Sequence, residues 1–338
     1  MQALFICLAA MMLVTASSAA ALDQLESIEV EILEWQVPYK TSRPRDPFAV
    51  NGTSVWFVGQ GAGYLAHLDT ASGEFTRVDL KKGSAPHNLI VASDGGVWYA
   101  GNRTGLIGRY DPVSGKTLEI MMPEEAARDP HTLVFDADEK NIWFTLQQSN
   151  MIGRLNIDSQ KIDLIAASTQ GSRPYGIKMA PDGSVWVALF GTNKLGHIKP
   201  ESLAWEEINL PRAKARPRRL EVLNDGHVWY VDYAQGILGE YDPRTEAFRE
   251  WPMPQGKNAQ PYGMAADSNG VIWMVASGVQ PNVFMGFNPK TEVFFGLTEI
   301  PSGAGTVRHM HYQEASGTVW FGTDANTIGR SIVEPDKQ

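Results

Sequence analysis

The chain has 338 residues, a formal charge of −9 from 29 Lys and Arg against 38 Asp and Glu, and 43% hydrophobic residues with 10% aromatic. That composition excludes a disordered chain, and the acidic balance excludes a nucleic-acid backbone as primary partner. Length alone suggests about two domains, or one if the fold is all-β, and no second composition zone marks a boundary.

The first segment reads as a targeting signal. Met1 to Ala21 has no charged side chain, is apolar from Leu4 to Val14, and ends with Ala19 and Ala21 at the minus-three and minus-one positions of an A-x-A cleavage site. Residues 1–21 are therefore expected to be a signal peptide and 22–338 a single exported domain, periplasmic or secreted. The alternative is a short membrane anchor, because the segment lacks the usual leading Lys or Arg; polar Thr15, Ser17 and Ser18 make it a poor spanning helix. The only cysteine, Cys7, falls inside the signal, so the mature chain has no disulfide and depends on its core. No later segment is apolar for long enough to span a membrane.

From Trp56 onward one phrase recurs. Trp56, Trp98, Trp143, Trp186, Trp229, Trp273 and Trp320 lie 42 to 47 residues apart, each after a small-residue turn and a β-branched residue. In the second repeat Leu89 to Ala92 reads as a strand, Asp94-Gly95 as a hairpin turn, Val97 to Ala100 as a second strand and Ile107 to Tyr110 as a third; Asp111-Pro112 then turns the chain into a fourth. Four short strands in each of seven such repeats is the arithmetic of a seven-bladed β-propeller, with the tryptophans packed between blades. The seventh repeat ends after three strands, at Ile332. Glu34-Trp35-Gln36-Val37-Pro38 parallels Glu250-Trp251-Pro252-Met253-Pro254 in the fourth strand of the fifth repeat, so the amino-terminal strand is expected to complete the last blade.

The innermost strand of every propeller blade lines the central channel, so the residue after each repeat's proline is expected on one rim: Phe48, His87, His131, Tyr175, Arg218, Tyr262 and Arg308, with Val307 in place of the last proline. The residue four beyond each Trp should join them: Gln60, Asn102, Gln147, Phe190, Tyr233, Ser277 and Asp324. His87 and His131, with Asp129 two residues before the latter, can supply a general base and a metal-binding carboxylate, or be surface histidines beside a proline. Arg45, Arg173, Arg216, Arg218 and Arg308 cluster about the proline positions and suit a carboxylate or phosphate on a ligand, or form solvated basic loops. His309 and His311 face one side of the last inner strand as metal ligands or polar channel lining. No nucleophile elbow, zinc helix, phosphate loop or cysteine metal site is present.

Arg173-Pro174-Tyr175-Gly176-Ile177, Asp182-Gly183-Ser184-Val185-Trp186 and Ile152-Gly153-Arg154, in a pattern repeated seven times after a signal peptide, resemble the streptogramin B lyase (virginiamycin B lyase) family. The resemblance implies a seven-bladed propeller that linearises a cyclic depsipeptide antibiotic by magnesium-assisted elimination at its ester, and hence antibiotic resistance. It also implies a Pro-His for substrate on the penultimate blade, an acidic-Pro-His on the last blade for metal and base, and an acidic metal ligand four residues beyond the last Trp. The matching positions here hold Tyr262, then Thr306-Val307-Arg308, and Asp324; the pattern reappears as Pro86-His87 and Asp129-Pro130-His131, with Gln147 where a second carboxylate belongs.

One reading is thus a lyase with His131 as base, Asp129 and Asp324 as ligands of Mg²⁺, and His87, Tyr175, Arg218, Tyr262 and Arg308 holding a small-molecule or cyclic-peptide substrate. The other is a non-catalytic binding or scaffolding propeller for an anionic ligand or a partner protein. A gluconolactonase-like lactonase lacks its central acidic and Asn cluster. A monomer is expected in either case.

Overall fold

The computed structural model describes residues 30–337. The segment read as a signal peptide lies outside the described residues. Seven four-stranded antiparallel sheets account for nearly all regular structure, and the only helical pieces among the described residues are short 3₁₀ turns. The second repeat supplies strands Pro86–Val91, Val97–Gly101, Leu106–Tyr110 and Thr117–Met121, from the channel outward. The same order recurs in six sheets, and among the described residues no helix is long and apolar enough to cross a membrane.

The seventh sheet is made from both ends of the described chain. Strand Ile32–Gln36 pairs antiparallel with Thr327–Ile332, in register from Ile32 opposite Ser331 to Gln36 opposite Thr327. Trp35 stacks on Trp320 with centroids 5.6 Å apart, as Trp251 stacks on Trp229 at 5.3 Å in the fifth blade. Glu34 ties the strand down by accepting from Ser302 N and Oγ and from Thr327 Oγ1.

The repeated words have packing causes. Trp98, Trp143, Trp229 and Trp320 are fully buried, and clusters of apolar residues bridge neighbouring blades; Val55 and Phe57 of the first, for example, pack with Trp320 and Ile328 of the seventh. The glycine of each Ile-Gly-Arg phrase lies beneath the aromatic residue that follows the repeat's Trp. A Cβ on Gly153 would collide with the ring of Phe144, and one on Gly329 with Phe321. Proline opens six of the seven inner strands, the position where its missing N–H costs no ladder bond.

Replacing Trp35 by alanine removes half of the stack that seals the last blade and should destabilise the protein by about 2–3 kcal/mol. Leu33→Ala, on the same strand but 38% exposed, should cost under about 1 kcal/mol. Denaturant unfolding of both variants checks the difference, and equal losses would mean that the stack does not carry the closure.

Candidate functional site

The inner strands begin at Pro44, Pro86, Pro130, Pro174, Pro217, Pro261 and Val307, each paired with the residue three beyond its blade's Trp. The rim residue of the first blade is therefore Arg45. Phe48, expected there, lies four residues into the strand opposite Trp56 and stacks on His311 at 4.2 Å. The signal that separates Pro44 from Pro47 was present: every other inner strand starts twelve or thirteen residues before its Trp, and so does Pro44.

The structure brings the other rim residues together as a plug. Arg45 Nη1 donates to His87 Nε2 at 2.8 Å, the His87 and His131 rings lie 3.6 Å apart, and His131 sits 4.1 Å from the Tyr175 ring. Tyr175 and Tyr262 share a short hydrogen bond between their hydroxyls. Arg218 lies over four rings, those of Tyr262 (3.5 Å), Phe190, Tyr233 and Tyr175, and meets no carboxylate among the described residues. Beneath them Asn88 donates to Asp46 at 3.0 Å, and Arg219 reaches across the channel to Thr132 Oγ1 at 3.0 Å and the Arg308 carbonyl at 3.1 Å. Asp46, Asn88, Thr132 and Arg219 form a second layer that position-by-position reading of the rim passed over.

Electrostatics follow from this crowding. Burial, then the Arg45 guanidinium, holds His87 well below the ordinary imidazole range; burial, then Arg219, does the same to His131. Both are neutral at pH 7. His131 Nδ1 is engaged by Thr132 Oγ1 at 2.8 Å, and its Nε2 is closed off from solvent with no hydrogen-bond partner among the described residues. Burial would raise the Tyr175 hydroxyl, but Arg218, Arg45 and Arg219 outweigh it and hold it below the usual phenol range. Tyr262 is pushed up by burial and by its neighbour Tyr175. Within the pair the guanidiniums favour ionisation of Tyr175, while burial disfavours that of Tyr262.

The two carboxylates expected to hold a metal are not brought together. Asp129 accepts from the backbone N–H groups of Gln148 and Ser149 at 2.5 and 3.0 Å and from Ser149 Oγ at 2.7 Å, which fastens the loop of its own blade. Asp324 takes both arms of Arg308, the Nη2–Oδ2 contact being 2.6 Å, and has Arg43 Nε at 3.6 Å. A guanidinium thus stands where a divalent cation would need Asp324 oxygens. Among the described residues no group of three or more His, Cys, Asp or Glu is disposed to hold a metal ion. These donors do not fit Mg²⁺, which prefers several carboxylate and water oxygens in octahedral array.

One cavity at this face lies beside the plug. It is about 580 Å³, sits between the first and second blades, and is lined by Arg43, Lys82, Arg103, Gln60 and Asn102. Gln60 also accepts from Arg45 Nη1 at 3.1 Å, which connects the groove to the rim. Burial, then the nearby Arg308, lowers the pKa of Arg43, with Asp324 acting in the opposite direction. Lys82 and Arg103 sit in loops that recur around the ring, Arg103 directly after the repeat position Asn102, but at positions where the repeat spells out no shared side chain.

Fold and rim together define a seven-bladed propeller of the streptogramin lyase type. The chain belongs to the virginiamycin B lyase family, whose model matches residues 8–280. Solved structures similar to it include a streptogramin B lyase (24% identity, TM-score 0.80, covering 89% of this chain and 97% of that one). The virginiamycin B lyase from Staphylococcus aureus is 22% identical at TM-score 0.80, over 90% of this chain and 99% of that one. A catalytically inactive variant of the Staphylococcus aureus enzyme with quinupristin aligns equally well, at 23% identity, TM-score 0.80 and the same coverage. No curated protein sequence matches the chain.

A tyrosine that ionises below the ordinary value of about 10 should be visible by phenolate absorbance. Tyr175→Phe should remove this early titration, and Arg218→Met should move it upward. If every tyrosine of the native protein titrates at or above the ordinary value, the guanidiniums do not polarise the pair as described.

Proposed function

We infer that this member of the family is an exported binding propeller that takes up a ligand through its carboxylate or other anionic groups, without a metal and without elimination chemistry. The observation that carries this reading is that Arg43 and Arg308 both lie against the single carboxylate of Asp324, and that Arg43 also lines the groove that presents Lys82 and Arg103. Arginine forks recognise carboxylates bidentately, and the exposed cations Arg43, Lys82 and Arg103 outnumber Asp79, the one carboxylate lining the groove, which favours an anion there.

The lyase reading asks different things of the same rim. It needs a base that substrate can reach and an electrophile beside the ester. His131 is buried to 1% exposure with its free nitrogen closed off, and Asp324 is already neutralised by Arg308. Quinupristin, the compound held by the Staphylococcus aureus variant, would meet an Arg-lined, plugged mouth in this chain. In this account Tyr175, Tyr262, His87 and His131 hold the plug rigid, while the groove residues contact the ligand.

Thermal unfolding in citrate at constant ionic strength tests the reading, because a ligand of the folded state raises its apparent stability. A saturable rise is expected with citrate, none with added Mg²⁺ or chelator, and the citrate effect should vanish in Arg103→Glu. Quinupristin incubated with the protein and Mg²⁺ should stay cyclic by chromatography. Magnesium-dependent ring opening, or a midpoint that responds to Mg²⁺ and not to citrate, would overturn the binding role in favour of the lyase.

A further inference from the structure

Below the plug the channel widens again. A chamber of about 290 Å³ lies beneath the layer of Asn88, Thr132 and Arg219, and none of the rim residues His87, His131, Tyr175, Arg218, Tyr262 or Arg308 lines it. It is a separate compartment from the groove at the other face. Its volume is at the lower end for small-molecule sites, which are largely apolar with a few placed polar groups.

The walls divide by chemistry. Phe48, Ile90 and Val134, from the first three blades, supply apolar surface. Facing them, Lys178 of the fourth blade and Glu221 of the fifth form an ion pair at 2.9 Å, with their side chains 35% and 10% exposed. On the seventh blade His311 Nε2–H donates to the Ala49 carbonyl at 3.2 Å, which leaves Nδ1 as the acceptor of that ring. His309 completes this wall and has no hydrogen-bond partner among the described residues, its Nδ1 being closed off from solvent. Burial, then Lys178, keeps His311 down to about 4, so it is a neutral acceptor.

An ion pair that faces apolar surface, with Glu221 only 10% exposed, adds little net stability to a fold, since desolvation offsets much of the attraction. It is suited to a ligand that carries both charges. A ligand with only an ammonium would meet Lys178 and the Arg219 guanidinium of the layer above, and one with only a carboxylate would leave Glu221 unmatched. The geometry points to a small amino-acid zwitterion with an apolar side chain as the occupant of this chamber: carboxylate toward Lys178, ammonium toward Glu221 and the neutral imidazoles, side chain against Phe48, Ile90 and Val134. Glu221 also lines a groove of about 530 Å³ with Val222, Asp225 and Tyr312, so the chamber and that groove lie on either side of one carboxylate.

Calorimetric titration of the full chain with L-phenylalanine and L-leucine tests the assignment. N-acetyl-L-phenylalanine, which lacks the ammonium, and L-phenylalanine amide, which lacks the carboxylate, are the probes of charge matching. Saturable binding of the free amino acids is expected, at least tenfold weaker for both blocked forms, and lost in Lys178→Met. Val134→Trp, which fills the chamber, should also abolish it while leaving citrate stabilisation at the opposite face intact. Absence of binding to the unaltered protein, equal binding of the blocked forms, or binding that survives Val134→Trp would each overturn the proposal. Because citrate and amino acid are read on one protein, failure of the chamber and failure of the anion groove are distinguishable.

Discussion

Everything at the centre of this molecule depends on ring closure by the pairing of Ile32–Gln36 with Thr327–Ile332. Seven sheets that twist in the same sense bring their inner strands to one axis only if the last blade is complete, and an unfinished blade would leave an open edge. Once the ring is shut, one position per blade is forced into the same few ångströms. The rim residues are neighbours because of their place in the repeat, although Tyr175 and Tyr262 are 87 residues apart in the chain.

That convergence makes the charge of each rim residue a collective matter. In a water-filled mouth several arginines would repel weakly; in a closed one each must find a counter-charge, an aromatic face or a polarised hydroxyl. Arg45 has Asp46 at 3.5 Å, Arg308 has Asp324, and Arg218 has four rings and the Tyr175 hydroxyl beneath it. The same force keeps His87 and His131 neutral. A family scaffold whose solved relatives carry the name of a lyase thus presents here a rim in which guanidiniums hold the carboxylate that a metal would require, and the positive charge left over faces an open groove.

Much of the architecture was legible because it is periodic. Seven tryptophans at near-constant spacing, turn glycines and Ile-Gly-Arg phrases encode strands whose limits in the structure differ from their sequence reading by a few residues at most. The first blade shows where periodicity is ambiguous: Arg43-Pro44-Arg45-Asp46-Pro47-Phe48 contains two prolines, and reading from the second moved the rim residue from Arg45 to Phe48. Direction was less legible than position. Asp129 stands one residue before the inner strand, as its spacing implies, yet its carboxylate turns back to Ser149, a choice made by loop hydrogen bonds that no repeat spells out. Lys178 with Glu221, and Arg103 with Lys82, come to line shared cavities only where neighbouring blades meet.

The claim most open to direct measurement is the sign of the charge sought at the rim. Crystals soaked in manganese bromide, with anomalous differences recorded about both absorption edges, locate the cation and the anion in one experiment. This account predicts bromide in the groove between Arg43, Lys82 and Arg103, with Asp324 still clasped by Arg308. Manganese bound to Asp324 or Asp129, with Arg308 displaced and no anion in the groove, would contradict it.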